Sequence, residues 1–150
     1  MLVIGNSPAT LLPFIVGTLE DGFNLNKQAT GSIVSTELIA MSLSAIFFGS
    51  LVKKINITIS SIVGSFAVIS GYFICAFINE IEILRLVRAV SGVGSGLLIA
   101  TGHRVLSASD NPERSYAAFT FLVSITGACF LFLAGMVAEE GGYSSLFKTF

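Results

Sequence analysis

The stretch that decides the fold is LRLVRAVSGVGSGLLIATGHR, residues 84–104. Apolar and small residues fill most of it, and it is long enough for the roughly 20 residues that an α-helix needs to cross a bilayer core. Gly92, Gly96 and Ala100 recur every four residues, so one face of the predicted helix is nearly bare backbone that a second helix can approach closely. Arg88 stands inside this stretch. The segment therefore predicts a membrane-spanning helix that is packed in a bundle and carries a charge.

The rest of the chain also has the composition of a membrane protein. Of 150 residues, 53% are hydrophobic and 11% are charged, whereas a soluble domain has about 25% charged residues. The formal net charge is -1 and no basic run is present, so nucleic-acid binding has no electrostatic basis. Cys75 and Cys129 stand in apolar runs without the spacing of metal ligands. We expect no metal, no cofactor and no catalytic constellation, and therefore not an enzyme.

Apolar runs separated by polar clusters predict about five transmembrane helices. The predicted spans are residues 2–19, 31–52, 57–78, 83–107 and 116–138. The connections are short, so consecutive helices are expected to be antiparallel neighbours in one bundle. We predict a single transmembrane domain over residues 1–150 with an all-α, polytopic helical-bundle fold.

The positions of the basic residues predict the orientation in the membrane. Lys53, Lys54, Arg104 and Arg114 lie in or beside the second and fourth connections, whereas the first and third carry mainly acidic residues. Cytoplasmic loops carry the excess of Lys and Arg. We therefore expect a multi-pass protein of the cell membrane whose N-terminus is cytoplasmic.

Polar residues inside the predicted spans are the candidates for a substrate or ion pathway, namely Arg88, Glu37 and Asn6. A charge inside a span costs about 2.5–3.5 kcal/mol on insertion scales and usually faces the bundle interior. Arg88 has no carboxylate one turn away in its own helix, so we expect it to face an aqueous interior. Glu37 would suit proton coupling, or it is neutral or hydrogen-bonded to a neighbouring helix. Asn6 either bonds substrate or joins helices.

The order of residues in the fourth span resembles the fourth-helix motif of the major facilitator superfamily. That motif has a leucine, an arginine, usually a glutamine, and then glycines. The matching positions here are Leu84, Arg88, Ser91, Gly92 and Gly94, with Ser91 where the glutamine is usual.

The segment GSLVKKIN, residues 49–56, is similar to the loop motif that follows the second helix in the same family. Gly49, Leu51 and Lys54 match the motif. Lys53 stands at the usual aspartate and Asn56 at the usual glycine. Near the end of the chain, GGYSSLF, residues 141–147, resembles the usual start of the sixth helix.

The resemblance implies the N-terminal half of a secondary transporter for a small solute. It implies two inverted three-helix repeats, the second one helix short, and a midplane substrate site with one wall formed by Arg88, Glu37 and Asn6. The partners implied are the lipid bilayer, a small-molecule substrate, a proton as candidate coupling ion, and either the missing helices or C-terminal half or a second copy through self-association. As a fragment, the chain is expected not to transport alone. The alternative is a non-transporting membrane bundle, either a truncated product or a partner subunit.

Overall fold

The computed structural model describes residues 1–23, 26–75, 77–78 and 80–141, and in these residues the fold is all-helical. The helices are α1 (Leu2–Thr10), α2 (Leu12–Phe23), α3 (Lys27–Leu51), α4 (Ile57–Cys75), α5 (Ile81–Ser107) and α6 (Pro112–Gly141). The predicted all-α helical bundle is confirmed. The segment expected to start a sixth transmembrane helix lies, apart from Gly141, outside the described residues.

The region of the first predicted span contains two helices instead of one, because the chain is interrupted at Leu11. Pro13 gives the physical reason, since it has no N–H for the carbonyl of Ala9 and its ring crowds that carbonyl. α1 and α2 have 9 and 12 residues, so neither is long enough to cross a bilayer alone. The region of the predicted first span is therefore divided into two short helices.

Four other helices among the described residues are long and apolar enough to cross a membrane. They are α3, α4, α5 and the part of α6 from Pro112 to Leu133. Large apolar side chains on their outer faces are exposed, for example Phe66 and Phe121. Such surfaces suit a lipid solvent, where exposed apolar groups carry no cost.

α5 lies at the centre of the bundle and packs against α3, α4 and α1. In the most apolar 18-residue segment of α5, 56% of the residues are buried, compared with 22% in α3 and α4 and 6% in α6. A helix with so much of its surface covered needs small residues where its neighbours touch it. The glycine-rich sequence of residues 92–96 supplies them.

Polar side chains fix the ends of the helices. Asn26 caps α3 by accepting from the N–H of Ala29 at 2.8 Å, and Asn56 accepts from the first turn of α4. At the other end of α3, Arg104 of α5 donates to the carbonyls of Val52 and Ile55. These bonds satisfy backbone groups that a helix end leaves open. They also attach the connection between α3 and α4 to α5.

Candidate functional site

Glu37 of α3 and Arg88 of α5 form an ion pair inside the bundle. Nη1 of Arg88 donates to Oε2 of Glu37 at 3.0 Å. The side chain of Glu37 is only 2% exposed, and that of Arg88 is 5% exposed. The two residues are 51 positions apart in the sequence. The carboxylate that Arg88 lacks within its own helix is therefore supplied by a neighbouring helix.

The close approach of α3 and α5 makes this pair possible. A Cβ atom at Gly92 would overlap the backbone oxygen of Glu37, and one at Gly96 would lie 2.7 Å from the backbone nitrogen of Ala45. The hydroxyl of Ser44 donates to the carbonyl of Val93 at 2.7 Å and links the same two helices. Bare backbone on α5 thus lets α3 come near enough for Arg88 to reach Glu37.

Tyr72 of α4 contacts both members of the pair. Its hydroxyl donates to Oε1 of Glu37 at 3.1 Å. The Cζ atom of Arg88 lies 4.7 Å from the centre of its ring, within the range of a cation–π interaction. Both carboxylate oxygens of Glu37 therefore accept a hydrogen bond from another helix. We refer to Glu37, Arg88 and Tyr72 as the polar triad.

The sequence alone did not single out Tyr72. A tyrosine in an apolar span is not unusual, and its one signal is a hydroxyl that needs a partner when it is buried. That partner lies on α3, at a distance of 35 positions along the chain.

Arg88 keeps an open hydrogen-bond donor. Its Nε atom is buried and has no hydrogen-bond partner among the described residues. A buried donor without a partner costs about 1–3 kcal/mol. The polar triad can therefore take one more acceptor, such as an oxygen atom of a solute or a water molecule.

A cavity of about 560 Å³ lies between α1, α4 and α6, and Tyr72 lines one side of it. Its other walls are mainly apolar. Ser7 and Thr10 of α1 also line it, but each hydroxyl donates to a backbone carbonyl of its own helix. The volume is within the range of about 300–1,000 Å³ that is common for small-molecule sites. Tyr72 is the member of the triad that a molecule in this cavity would touch.

Asn6 forms a hydrogen bond within its own helix. Its side-chain nitrogen donates to the carbonyl of Leu2 at 3.2 Å, within α1. Of the three predicted pathway residues, the structure brings Arg88 and Glu37 into direct contact and gives Asn6 a partner in its own helix.

The remaining residues of the fourth-helix motif pack against other helices. Gly94 lies against Gly64 of α4, and Ser91 lies against Gly71 of the same helix. The hydroxyl of Ser91 donates to the carbonyl of Val87 at 3.1 Å, so it bonds within α5. Leu84 is 2% exposed and belongs to the apolar cluster one turn before Arg88.

The residues of the predicted loop motif lie at the end of α3. Gly49, Lys53 and Lys54 are exposed, and Leu51 is partly buried. A Cβ at Gly49 would meet nothing within 4 Å. Gly49 therefore has no packing constraint of the kind seen at Gly92 and Gly96.

The described residues contain no group of three or more side chains from His, Cys, Asp and Glu that could hold a metal ion. Cys75 is buried and Cys129 is exposed, and both are free thiols. The chemistry of the site is therefore that of the polar triad and its open donor.

The helical bundle and the charged pair inside it define a multi-pass membrane protein with a polar centre. The chain belongs to the Major Facilitator Superfamily, whose family model matches residues 1–150. This confirms the family that the motifs of the fourth helix and the loop after α3 indicated.

The chain is also similar to a protein that is named as a transporter. It is 26% identical over 138 residues to the riboflavin transporter RibZ of Clostridioides difficile, and the match covers 87% of this chain. It covers 29% of the transporter, so the chain spans less than a third of that relative's length. No solved structure matches the chain.

Proposed function

We propose that this chain forms part of a secondary transporter that moves a small solute across the cell membrane, with the polar triad on the transport path. The buried pair of Glu37 and Arg88 carries the proposal. Apolar residues of similar volume often replace a buried ion pair without loss of stability. Stability alone is therefore a weak reason for a buried pair, and ionisable residues inside membranes commonly mark ion or substrate pathways.

Riboflavin is the solute that we propose to test first, because it is named in the similar transporter RibZ. One feature of this chain is compatible with a flat aromatic solute. The cavity beside Tyr72 has mainly apolar walls.

We propose a proton as the coupling ion. Arg88 and Tyr72 both donate to the Glu37 carboxylate. A proton on Glu37 would remove the negative charge that holds the guanidinium and would leave Arg88 free to bind an acceptor on the solute. Binding of the proton and binding of the solute would then be linked through one residue.

The test of the proposed function is the uptake of radiolabelled riboflavin by cells that express the complete transporter. We expect Glu37→Gln to lower the initial rate about tenfold or more, since a hydrogen bond to a charged group contributes about 1.5–3 kcal/mol. The matched control is Glu82→Gln, which removes the carboxylate of an exposed pair with Arg85. Exposed pairs contribute about 0–1 kcal/mol, so its rate should remain within about fivefold of the parent.

The possible results test the proposed solute and the proposed site independently. Uptake no higher than in cells with an empty vector would exclude riboflavin. Full uptake by Glu37→Gln at an equal protein level would show that the polar triad is not on the transport path.

We propose that the N-terminus is cytoplasmic. In a variant without native cysteines, cysteine placed at Glu80 should react with an impermeant thiol reagent added to intact cells. Cysteine placed at Lys54 should react only after the membrane is permeabilised. Both positions are exposed and lie at opposite ends of α4. The reverse pattern of labelling would invert the proposed orientation.

We infer that transport needs helices beyond those described, because alternating access requires one half of the protein to move against another. The second candidate function is a non-transporting bundle, either a truncated product or a partner subunit. Reading the DNA beyond the codon for Phe150 separates the two, because a transporter requires further hydrophobic spans in frame or in an adjacent gene.

A further inference from the structure

We propose that the bundle has a binding site for a phosphate group where α3 ends and α6 begins. The site is a pocket of about 630 Å³ between α3, α5 and α6. Its polar lining includes Lys53, His103, Arg104 and Tyr116. The phosphate is carried either by an anionic membrane lipid or by a small soluble molecule. This proposal is independent of the solute that the protein transports.

Positive charge in this pocket has no counter-ion among the described residues. Among the described residues, no Asp or Glu lines the pocket, and neither Lys53 nor Arg104 has a carboxylate within salt-bridge distance. Two cations that line one pocket without a counter-ion repel each other. A phosphate between them would relieve this repulsion and accept several hydrogen bonds.

The structure holds Arg104 in place for such a contact. Its Nη1 atom donates to the carbonyls of Val52 and Ile55, which fixes the guanidinium against the connection that contains Lys53. A guanidinium has five N–H donors in a rigid fork. The carbonyls occupy Nη1, and no hydrogen bond from the other nitrogens of Arg104 is seen among the described residues. These nitrogens could therefore donate to a ligand.

His103 and Tyr116 form the wall on the side of α6. Their rings stack with centres 5.6 Å apart, and Nδ1 of His103 lies 3.3 Å from the tyrosine hydroxyl. The two side chains hold each other and join α5 to α6. They add hydrogen-bonding atoms to the pocket at the same level of the helix as Arg104.

Below the polar groups the pocket is apolar. Ala45 and Ile46 of α3 and Ile99 of α5 line this part, and Ile46 is 73% exposed. The order of polar groups at the helix ends and apolar groups deeper in the bundle matches that of a phospholipid. Lys53 also stands where the family's loop motif has an aspartate, so the positive charge is a feature of this sequence.

The experiment uses the complete transporter, purified in detergent, and native mass spectrometry to measure bound lipid. The probes are phosphatidylglycerol and a diacylglycerol with the same acyl chains, which lacks the phosphate. In a second experiment, inorganic phosphate is added to the protein, and chloride at the same ionic strength serves as the control. We expect phosphatidylglycerol to remain bound in preference to diacylglycerol and to be displaced by phosphate.

Two adjacent lysines provide the matched comparison. Lys53 lines the pocket, whereas Lys54 is also exposed but does not line it. A basic residue near a membrane contributes about 1 kcal/mol to the binding of an anionic lipid, or roughly fivefold in affinity. We expect Lys53→Gln to weaken binding of phosphatidylglycerol by at least that factor and Lys54→Gln to change it less than about twofold.

The outcomes distinguish a specific phosphate site from unspecific attraction to a positively charged surface. Binding of inorganic phosphate that needs Lys53, without retention of phosphatidylglycerol, supports the site and assigns it to a soluble phosphate. Equal weakening by the two lysine variants would show unspecific attraction and overturn the proposal. No preference for phosphatidylglycerol together with no effect of phosphate would also overturn it.

Discussion

Arg88→Ala is expected to destabilise the protein by about 3–5 kcal/mol, because it leaves a buried carboxylate without its counter-charge. Glu37 is 2% exposed, and in this variant the Tyr72 hydroxyl would be its remaining hydrogen-bond partner from another helix. The double variant Glu37→Leu, Arg88→Met removes both charges and keeps similar volumes. We expect its stability to return to within about 1–2 kcal/mol of the parent.

A thiol that is already present reports this unfolding. Cys75 is 4% exposed and belongs to the apolar cluster that includes Leu84, one turn before Arg88. In the complete transporter with every cysteine except Cys75 replaced by serine, reaction with a fluorogenic thiol reagent would follow unfolding in denaturant. Because Cys75 lies close to Arg88, the loss of helical circular dichroism is measured in parallel, and only a change seen by both methods counts as unfolding. A double variant as unstable as Arg88→Ala would contradict the role of charge and indicate lost packing instead.

The double variant also separates stability from transport. If the triad is on the path, this variant is stable and inserted but takes up no solute. If the pair serves only to hold α3 against α5, the same variant transports at the rate of the parent. Arg88→Lys gives a finer test, because lysine keeps the charge but loses the planar fork and its contact with the Tyr72 ring. We expect it to be more stable than Arg88→Ala and still deficient in uptake.

The helices could be predicted because each one needs a long apolar run in order to cross a bilayer. The fourth span was predicted over residues 83–107, and α5 extends from Ile81 to Ser107. The interruption of the helix at Leu11 could not be predicted from the apolar run. Pro13 marks a weak point in the helix, but packing around the proline decides whether the helix bends or breaks there.

The members of the pair could be predicted, but the pair itself could not. Glu37 and Arg88 were candidates because charges inside spans are costly. Whether two charges 51 positions apart meet depends on which faces of α3 and α5 are in contact. That in turn depends on how Gly92 and Gly96 lie against α3, which spacing within α5 does not determine. The role of Tyr72 could not be predicted for the same reason, since it depends on a partner in another helix.

Gly92→Ala and Gly96→Ala are each expected to destabilise the bundle by about 1–3 kcal/mol or more, the usual cost of an overpacked core. The atoms that an added Cβ would meet are backbone atoms of α3, including the oxygen of Glu37 and the nitrogen of Ala45. Backbone in the middle of a helix cannot move aside as a flexible side chain can. The two helices would therefore have to separate, and the thiol assay at Cys75 would detect the loss of stability.

Two glycines of α3 give matched controls for this prediction. A Cβ at Gly31 or Gly49 would meet nothing within 4 Å. Alanine also has a helix propensity about 1 kcal/mol better than glycine, so Gly31→Ala and Gly49→Ala should be neutral or slightly stabilising. If Gly92→Ala behaved as Gly49→Ala does, α3 and α5 would not be in close contact.

Gly92 should further differ from Gly96 in its effect on the polar triad. The atom that a Cβ at Gly92 would overlap belongs to Glu37 itself, whereas the contacts of Gly96 lie about one turn or more further along α3, at Met41, Ser44 and Ala45. A shift of Glu37 would lengthen its 3.0 Å hydrogen bond to Arg88. Misplacing a binding group by about 1 Å can cost about 100-fold in rate. We therefore expect uptake per folded molecule to fall more in Gly92→Ala than in Gly96→Ala, and equal uptake by the two variants would show that the position of Glu37 does not limit transport.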